Sequence, residues 1–280
     1  EQLQVGPAAH TGGQAVHPRL PALTPEPEHQ PPAGPATYTG VGAGVPGQSL
    51  FCYALMLPHS YEQTLLAAQH ERKVSLFGCD EYALYSDEAI EVAPGLWTNI
   101  VDVDLKCGRG GEFGTALNTP IFLAVWRKLV SEKRYLYHAW TVKTDPDSVF
   151  LPARLRLRLQ PLRDEPRGVY LNNCKFGLHG PLEVLSRNAV TAWSQGVQRC
   201  TEHFDRLCSG PCKWGEDMFM DQCLMKVLMV KRVSDFRILQ EDHCDPPYGW
   251  KSCQNTSIVA FHPFKELAGY ETCISNALAS

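Results

Sequence analysis

The chain has 280 residues, of which 44% are apolar, and this is enough for one large domain or for one domain with a tail. Its net charge of −4 argues against a nucleic-acid-binding surface, because such a surface needs a basic patch. No run of apolar residues reaches the length of about 18 that a membrane-spanning helix needs. The composition therefore indicates a globular protein that binds no nucleic acid.

The first 48 residues differ in composition from the rest of the chain. They are dominated by Pro, Gly, Ala, Gln and His, without aromatic or β-branched periodicity, and such a segment buries too little apolar surface to offset the entropy of ordering it. We expect residues 1–48 to form an extended arm or stem, or a strap that docks on a protein partner. Residues 49–280 are expected to form a single domain. The beginning of the chain at Glu1 resembles no signal peptide, so we expect a processed chain from which any N-terminal anchor has been removed.

Eleven cysteines are many for a cytosolic domain of this size and indicate an oxidising compartment, as in the secretory pathway. Seven of them lie after position 199, so the C-terminal part is expected to be the more heavily disulfide-bonded. The odd number leaves at least one unpaired thiol or an intermolecular bond. The spacing of Cys208 and Cys212, with Cys200 or Cys223, leaves a zinc site as an alternative. The N-glycosylation triplet that begins at Asn255 agrees with secretory passage.

The domain is predicted to begin with alternating strands and helices. Residues 49–57 form a continuous apolar run of strand length, Ser60 caps a helix over Tyr61–Lys73, and Val74–Phe77 is a second strand. A strand, a helix and a strand within about thirty residues predict a βαβ unit with parallel strands. Thr119 is the predicted N-cap of a later helix, which leads into a further buried strand.

Two other segments carry residues that often contact phosphate. The glycine-rich segment Cys107–Gly114 matches neither a P-loop nor a dinucleotide-binding fingerprint, because the glycine spacing differs. We interpret it as a mobile loop, with contact to a phosphate as the alternative. The basic run Arg154–Arg158 is interpreted as a solvated face, although it lies close enough to Asp147 in the chain to approach a phosphate.

The most informative stretch is Lys143–Leu151, in which Asp145 and Asp147 are separated by one proline. The apolar run Tyr135–Val142 predicts a buried strand that ends at these two carboxylates. Asp-Pro-Asp is favourable turn chemistry in its own right. However, two carboxylates on one turn also suit a divalent cation that must contact a phosphate. Ligands of α/β sheets bind at the carboxyl ends of the strands, so we expect the site there.

A second pair of acids, Glu216 and Asp217, begins a predicted buried helix. Acids in the first turn of a helix complement its dipole, and the alternative is that the helix aims a carboxylate into a cleft. Between the two acidic segments we predict a strand over Gly168–Leu171 and then a strand that turns into a helix capped by Ser186. The whole pattern predicts an α/β domain with a mostly parallel central sheet flanked by helices.

Four segments, in this order, resemble one family. Lys143–Phe150 resembles the Lys-x-Asp-Asp-Asp-x-(Phe/Tyr)-Val block of the inverting β-1,3-glycosyltransferases, which include fringe and the core-1 galactosyltransferases. Gly180–Val190 is similar to that family's Gly-x-x-Tyr-Val-Leu-Ser-x-x-x-Val block. Gly215–Leu224 resembles its Glu-Asp-Val-x-x-Gly-x-Cys-Leu block, and Phe261–Lys265 resembles the segment that carries its late metal-binding histidine.

This resemblance implies a GT-A fold, a nucleotide-sugar donor that is usually linked to UDP, and Mn²⁺ or Mg²⁺ as the cofactor. It implies that Asp147 and His262 ligate the metal. Asp145 would complete the metal site or hold the ribose of the donor, and Lys143 would also contact the donor. The metal would bridge the diphosphate and neutralise the leaving group.

The resemblance also implies Asp217 as the general base that takes the proton of the acceptor hydroxyl, with Glu216 orienting that acid or the acceptor. Trp214 would stack on a sugar ring or pack in the core. The expected activity is that of a metal-dependent, inverting hexosyltransferase of β-1,3 type. Its acceptor would be a hydroxyl of a glycan or glycoprotein, in the Golgi lumen or after secretion.

The chain departs from the family pattern at Pro146, which replaces the middle Asp, and at Glu183, which replaces a Tyr. These departures leave open a second function, that of a non-catalytic subunit with the same fold. Such a subunit would bind a protein partner through the N-terminal arm or through an unpaired cysteine.

Overall fold

The computed structural model describes residues 48–111, 114–207 and 214–280. All of them belong to one compact unit, which spans residues 37–280. The arm predicted over residues 1–48 lies almost entirely outside the described residues and stays a prediction. Within the described segments, no helix is both long enough and apolar enough to cross a bilayer.

The described residues form strands and helices that alternate along the chain. The strands are β1 Leu50–Leu55, β2 Glu81–Ser86, β3 Glu91–Ala93, β4 Leu96–Trp97, β5 Asn99–Ile100, β6 Arg109–Gly110, β7 Thr115–Ala116, β8 Trp140–Thr144, β9 Val149–Phe150, β10 Val169–Asn172, β11 Leu182–Ser186, β12 Lys231–Ser234, β13 Leu239–Glu241 and β14 Ala260–His262. The helices are α1 Tyr61–Arg72, α2 Thr119–Glu132, α3 Pro152–Leu159, α4 Arg187–Leu207, α5 Glu216–Gln222 and α6 Leu267–Ala279.

The central sheet has seven strands in the order β12-β10-β11-β8-β1-β2-β5. The pairs β1–β2, β1–β8, β2–β5 and β10–β12 are parallel, whereas β11 runs antiparallel to both of its neighbours. The predicted α/β architecture with a mostly parallel central sheet and flanking helices is therefore confirmed.

Strand β1 shows why a continuous apolar run forms a central strand. Phe51 and Tyr53 enter the core on one face of the sheet, together with Trp126 of α2 and Trp193 of α4. The alternate residues, among them Cys52, enter the core on the other face, which α1 and α3 cover. Because successive side chains of a strand point to opposite faces, a strand buried on both sides must be apolar at every position.

Two predicted helix caps are confirmed. Ser60 Oγ accepts a hydrogen bond from the backbone N–H of Glu62 at 3.2 Å, at the start of α1. Ser186 Oγ accepts one from the backbone N–H of Ala189 at 3.3 Å, at the start of α4. Each hydroxyl satisfies a backbone donor that has no partner within the helix.

The prediction of a strand over Val74–Phe77 is wrong. These residues lie in a single 3₁₀ turn, Ser75–Gly78, in which Leu76 is buried, and the parallel partner of β1 is β2. A four-residue apolar run does not distinguish a strand from a buried turn by its periodicity. The disulfide between Cys52 of β1 and Cys79 places the turn next to the sheet.

Two boundaries also differ from the prediction. The N-cap of α2 is Asn118, because the hydroxyl of Thr119 donates instead to the backbone carbonyl of Trp214 at 2.9 Å. That bond ties the start of α2 to the segment that precedes α5. The strand predicted over Tyr135–Val142 begins later, as β8, because residues 134–137 form a 3₁₀ turn.

Four disulfides connect described residues. They are Cys52–Cys79, Cys174–Cys244, Cys200–Cys223 and Cys253–Cys273. Three of the four involve residues after position 199, which confirms the more heavily disulfide-bonded C-terminal part, and all four are compatible with a secreted or lumenal protein. Because Cys200 pairs with Cys223, the alternative zinc site that used either of them is wrong, and its other two cysteines lie outside the described residues. Cys107 is exposed and unpaired.

The arginines of the run Arg154–Arg158 are engaged in tertiary bonds, so the prediction of a solvated face is wrong. Arg154 donates to the carbonyls of residues 255, 258 and 277. Arg156 pairs with Asp80 at 2.9 Å, and Arg158 pairs with Asp235. These bonds connect α3 to four other segments of the chain, and nothing in them supports the alternative of a contact to phosphate.

Replacement of Gly168, which immediately precedes β10, tests how closely this segment packs against α4. The φ of Gly168 is +88°, and a Cβ atom there would lie 2.1 Å from the backbone nitrogen of Ala189. We expect Gly168→Ala to lower the free energy of unfolding in urea by at least about 2 kcal/mol more than Gly95→Ala. Gly95 has a φ of +76° but open space around it, so it reports the backbone strain alone. Equal losses would contradict the close approach.

Candidate functional site

A small second sheet brings together residues that are far apart in the chain. It has three strands in the order β13-β14-β9. β14 runs parallel to β13, with Glu241 opposite His262, and antiparallel to β9. Asp147 lies two residues before β9, and its carbonyl accepts from the backbone N–H of Phe264 at 2.9 Å. The pairing therefore places Asp147, His262 and Glu241 at one edge of this sheet.

The Asp-Pro-Asp segment forms a tight turn between β8 and β9. The backbone N–H of Ser148 donates to the carbonyl of Asp145 at 3.0 Å, which closes a four-residue turn. Pro146 occupies the second position of that turn, where a fixed φ is favourable and no N–H is needed. The predicted turn chemistry and the predicted carboxylate pair are thus both present, and the turn presents both acids on one side.

Asp145, Asp147 and His262 form a cluster that could hold a metal ion. One ligand atom from each lies within 4.8 Å of the others. Asp147 is 5% exposed, and its Oδ1 lies 3.4 Å from His262 Nε2. Its other oxygen accepts a hydrogen bond from the Tyr61 hydroxyl at 3.2 Å. The arrangement offers two carboxylates and one imidazole to a single cation.

The electrostatics of this cluster are dominated by its carboxylates. Burial lowers the pKa of His262, but the adjacent carboxylates of Asp147 and Glu241 outweigh it and raise that pKa to about 9. Burial raises the pKa of Glu241, but the hydrogen bond with His179 and the adjacent imidazole of His262 outweigh it and lower that pKa to about 2. The pKa of Asp147 is lowered in the same way, against the effect of burial, with His262 as the main cause. The pocket thus has a strong preference for positive charge.

Lys143 lies beneath this cluster and is 2% exposed. Its Nζ donates to Glu216 Oε1 at 2.6 Å and to the carbonyl of Gly180 at 2.8 Å, and it lies 3.0 Å from Asp145 Oδ1. Burial lowers the pKa of Lys143, but Asp145, Glu216 and Glu183 raise it well above its ordinary value. Lys143 is therefore the buried counter-ion of three acids, among them Asp145.

Two of these acids are themselves buried. Burial raises the pKa of Glu183 well above its ordinary value, and the neighbouring Glu216 adds to this effect. Burial also raises the pKa of Glu216, although Lys143 opposes that shift. Both pKa shifts favour the protonated, neutral form of these two buried carboxyls.

Asp217 follows Glu216 in the first turn of α5. Its Oδ2 accepts from the backbone N–H of Gly180 at 3.1 Å, and its Oδ1 accepts from the backbone N–H of Met218 at 2.7 Å. A Cβ atom at Gly180 would lie 2.8 Å from Glu216 Oε1, so any larger residue there would displace the Glu216 carboxylate. The helix start thus holds the Asp217 carboxylate in one orientation.

A cleft of about 680 Å³ joins these parts. Its lining includes Asp145, His262, Glu216 and Asp217 of the predicted residues. Asp147 and Lys143 are not among the described residues that line it, but Asp147 contacts His262 and Lys143 contacts Asp145 and Glu216 behind that lining. Every predicted site residue therefore lies at this cleft or directly beneath it, while the assigned roles stay predictions.

Sequence reasoning missed several residues of the cleft. His179, Glu241, Arg109 and Phe176 line it as well. Arg109 belongs to the glycine-rich segment, where β6 pairs with β7, so that segment contributes to the cleft wall. The sequence signal for His179 and Glu241 was weak, because a lone His and a lone Glu at strand ends are common without a function.

Trp214 packs against Phe204, with ring centroids 5.1 Å apart. It is partly buried against the core on the α2 and α4 side of the sheet. This position supports the core interpretation of Trp214, and the tryptophan is not among the described residues that line the cleft.

No family model and no curated protein sequence matches this chain. Among the solved structures that match is the "crystal structure of a glycosyltransferase involved in the glycosylation of the major capsid of PBCV-1". The match has a TM-score of 0.42 and 10% sequence identity, and it covers 80% of this chain and 98% of that chain. A structural neighbour of this chain is thus a glycosyltransferase, but a likeness at this TM-score carries no argument about the reaction.

Replacement of Lys143 tests the buried charge cluster. We expect Lys143→Met to lower the free energy of unfolding by about 3–5 kcal/mol at pH 8, because it leaves buried carboxylates without their counter-ion. The loss should be smaller at pH 5, since carboxyls with a raised pKa take up protons there and need no counter-ion. Urea unfolding at the two pH values measures both.

Lys231→Met is the matched control, because Lys231 pairs with Glu165 at the surface. It should cost at most about 1 kcal/mol at either pH. A loss for Lys143→Met that is no larger than the loss for this control, or that grows as the pH falls, would contradict the assigned charges.

Proposed function

We propose that this chain is a metal-dependent glycosyltransferase. It transfers a sugar from a nucleoside-diphosphate donor to a hydroxyl of a glycan or glycoprotein, with inversion at the anomeric carbon. The UDP-linked donor, the β-1,3 linkage and the Golgi lumen as its location come from the sequence resemblance and the cysteine content, and they are part of this proposal.

The proposal rests on one observation: the candidate metal ligands and the candidate base lie at the same cleft. One wall carries Asp145 and His262, with Asp147 behind them. The other carries Asp217 at the start of α5. Lys143 contacts both Asp145 and Glu216, so a single buried ammonium sets the spacing of the two walls. Sugar transfer needs this pairing of an anion-binding cation with a separate base.

The donor set fits a divalent metal. Two carboxylates and an imidazole favour Mn²⁺ over Mg²⁺, because Mg²⁺ prefers oxygen ligands alone. The cluster offers ligand atoms from three side chains within 4.8 Å of one another, which leaves coordination positions for diphosphate oxygens. When bound, the metal neutralises charge that develops on the leaving diphosphate.

Asp217 is placed to accept the proton of the acceptor hydroxyl. The acceptor hydroxyl oxygen forms a bond to the anomeric carbon while the bond from that carbon to the diphosphate oxygen breaks. The diphosphate leaves with the bonding electron pair, and the hydroxyl proton passes to the Asp217 carboxylate. Two backbone N–H groups hold that carboxylate in place, and the buried Glu216 and Lys143 support the turn that carries it.

The second candidate is a non-catalytic subunit of the same fold. The exposed, unpaired Cys107 favours it, because such a thiol can form an intermolecular disulfide. The two functions differ in one measurement: the transferase binds UDP more tightly when Mn²⁺ is present, and the non-catalytic subunit does not.

Asp147→Asn tests the metal site. We expect it to abolish saturable Mn²⁺ binding in isothermal titration and to lower Mn²⁺-dependent hydrolysis of a panel of nucleotide-sugars by at least about 100-fold, because one of two anionic ligands is lost. Asp102→Asn, at an exposed acid outside the cleft, is the control and should bind Mn²⁺ like the wild type. Unchanged Mn²⁺ affinity in Asp147→Asn would exclude the assigned ligand.

Asp217→Asn tests the base. The substitution removes the proton acceptor but keeps an oxygen for the backbone N–H groups, so we expect Mn²⁺ and UDP binding to remain. The turnover number with an accepted sugar acceptor should fall by about 10²–10⁴-fold. Calorimetry measures the binding of Mn²⁺ and UDP, and quantification of the product measures the turnover number. If turnover is retained, Asp217 is not the base.

A further inference from the structure

Glu241 is a buried acid that the chemistry described above does not use, and the inference drawn from it rests on the proposed metal site. It is the last residue of β13 and is 3% exposed. In the parallel pairing of β13 with β14 its Cα partner is His262. Partners in adjacent strands present their side chains on the same face of the sheet, so the register itself puts this carboxylate next to the imidazole.

The two oxygens of Glu241 face three imidazoles, of which the exposed His243, with its Nδ1 3.7 Å from Oε2, is the most distant. Oε1 is hydrogen-bonded to His179 Nδ1. Oε2 lies 3.4 Å from His262 Nδ1. The other ring nitrogen of His262, Nε2, lies 3.4 Å from Asp147 Oδ1, on the side of the proposed cation. The carboxylates of Glu241 and Asp147 therefore flank the His262 ring from opposite sides.

This arrangement decides which nitrogen of His262 can bind a metal. A neutral imidazole that ligates through Nε2 carries its proton on Nδ1, and that proton needs an acceptor. Glu241 Oε2 is placed to be that acceptor. In the described part of the chain, His262 Nδ1 is inaccessible to solvent and forms no well-aligned hydrogen bond, so the Glu241 carboxylate 3.4 Å away is the acceptor within its reach. Without Glu241 a buried N–H would be left unsatisfied or the ring would turn.

Glu241 is itself held in place. Cys244 Sγ lies 3.3 Å from Glu241 Oε1 and 3.3 Å from His179 Nδ1, and Cys244 is joined to Cys174. The backbone N–H of His179 donates to Asn173 Oδ1 at 2.9 Å. The carboxylate is therefore fixed from one side by a disulfide and an anchored histidine, which makes it a rigid support for His262.

We propose that Glu241 is a positioning residue of the metal site, which fixes the ring of His262 so that Nε2 faces the cation between Asp145 and Asp147. A purely structural role is the competing interpretation. In that case loss of Glu241 lowers stability, and any effect on metal affinity is independent of His262. If Glu241 acts through His262, its effect on metal affinity disappears once the imidazole is removed.

A double-mutant cycle on the full chain separates these interpretations. Mn²⁺ affinity is measured by electron paramagnetic resonance of the free ion in the wild type, Glu241→Leu, His262→Ala and the double variant. Glu241→Leu should weaken Mn²⁺ binding by about 10–100-fold in the wild-type background. In the His262→Ala background it should change the affinity by less than about 2-fold. Equal losses in both backgrounds, or no loss in the wild-type background, would overturn the proposal.

Two further variants keep the test decisive. Asp242→Asn, at the neighbouring exposed acid that pairs with Lys251, should leave Mn²⁺ affinity unchanged. If Glu241→Leu does not fold, Glu241→Ala takes its place in the same cycle and should show the same dependence on His262, because it also removes the acceptor for the Nδ1 proton. Absence of saturable Mn²⁺ binding in the wild type would contradict the proposed function itself. Wild-type binding with no dependence on Glu241 would overturn the inference alone.

Discussion

The buried ammonium of Lys143 is the interaction on which the arrangement of the cleft depends. Lys143 is a residue of β8. Its ammonium contacts Asp145 just after that strand, Glu216 at the start of α5 and the carbonyl of Gly180 just before β11. A charge that is 2% exposed is tolerated only when its donors are satisfied and opposite charges surround it. The segments that supply those charges are therefore held at fixed distances from β8.

The second constraint is the pairing of three short strands outside the central sheet. β9, β14 and β13 lie far apart in the chain, yet their register places Asp147, His262 and Glu241 at one edge. Disulfides support this region: Cys253–Cys273 joins α6 to the segment before β14 and packs with Phe261 of β14, and Cys174–Cys244 abuts Glu241. A small sheet with little core of its own gains rigidity from such cross-links.

The departures from the family pattern are accommodated by these constraints. Pro146 lies at the turn position where proline is favourable, so it does not disturb the carboxylates on either side. Glu183 lies in β11, fully buried, with its Oε1 3.9 Å from Lys143 Nζ. It extends the charge cluster into the core, where a tyrosine would have placed a neutral ring. Burial is the main cause of the raised pKa values of Glu183 and Glu216, and the charge of a neighbouring acid adds to each shift.

The sequence alone determined the α/β architecture, the strand that ends at Asp145 and Asp147, and the helix that begins at Glu216, because these depend on local periodicity and capping. It also pointed to His262 and Asp217, through their place in segments that resemble one family. The 3₁₀ turn at Ser75–Gly78 and the positions of Glu241 and His179 at the cleft were decided only by the tertiary structure. Strand register and buried charge pairing depend on residues that are distant in the chain, and periodicity carries no information about them.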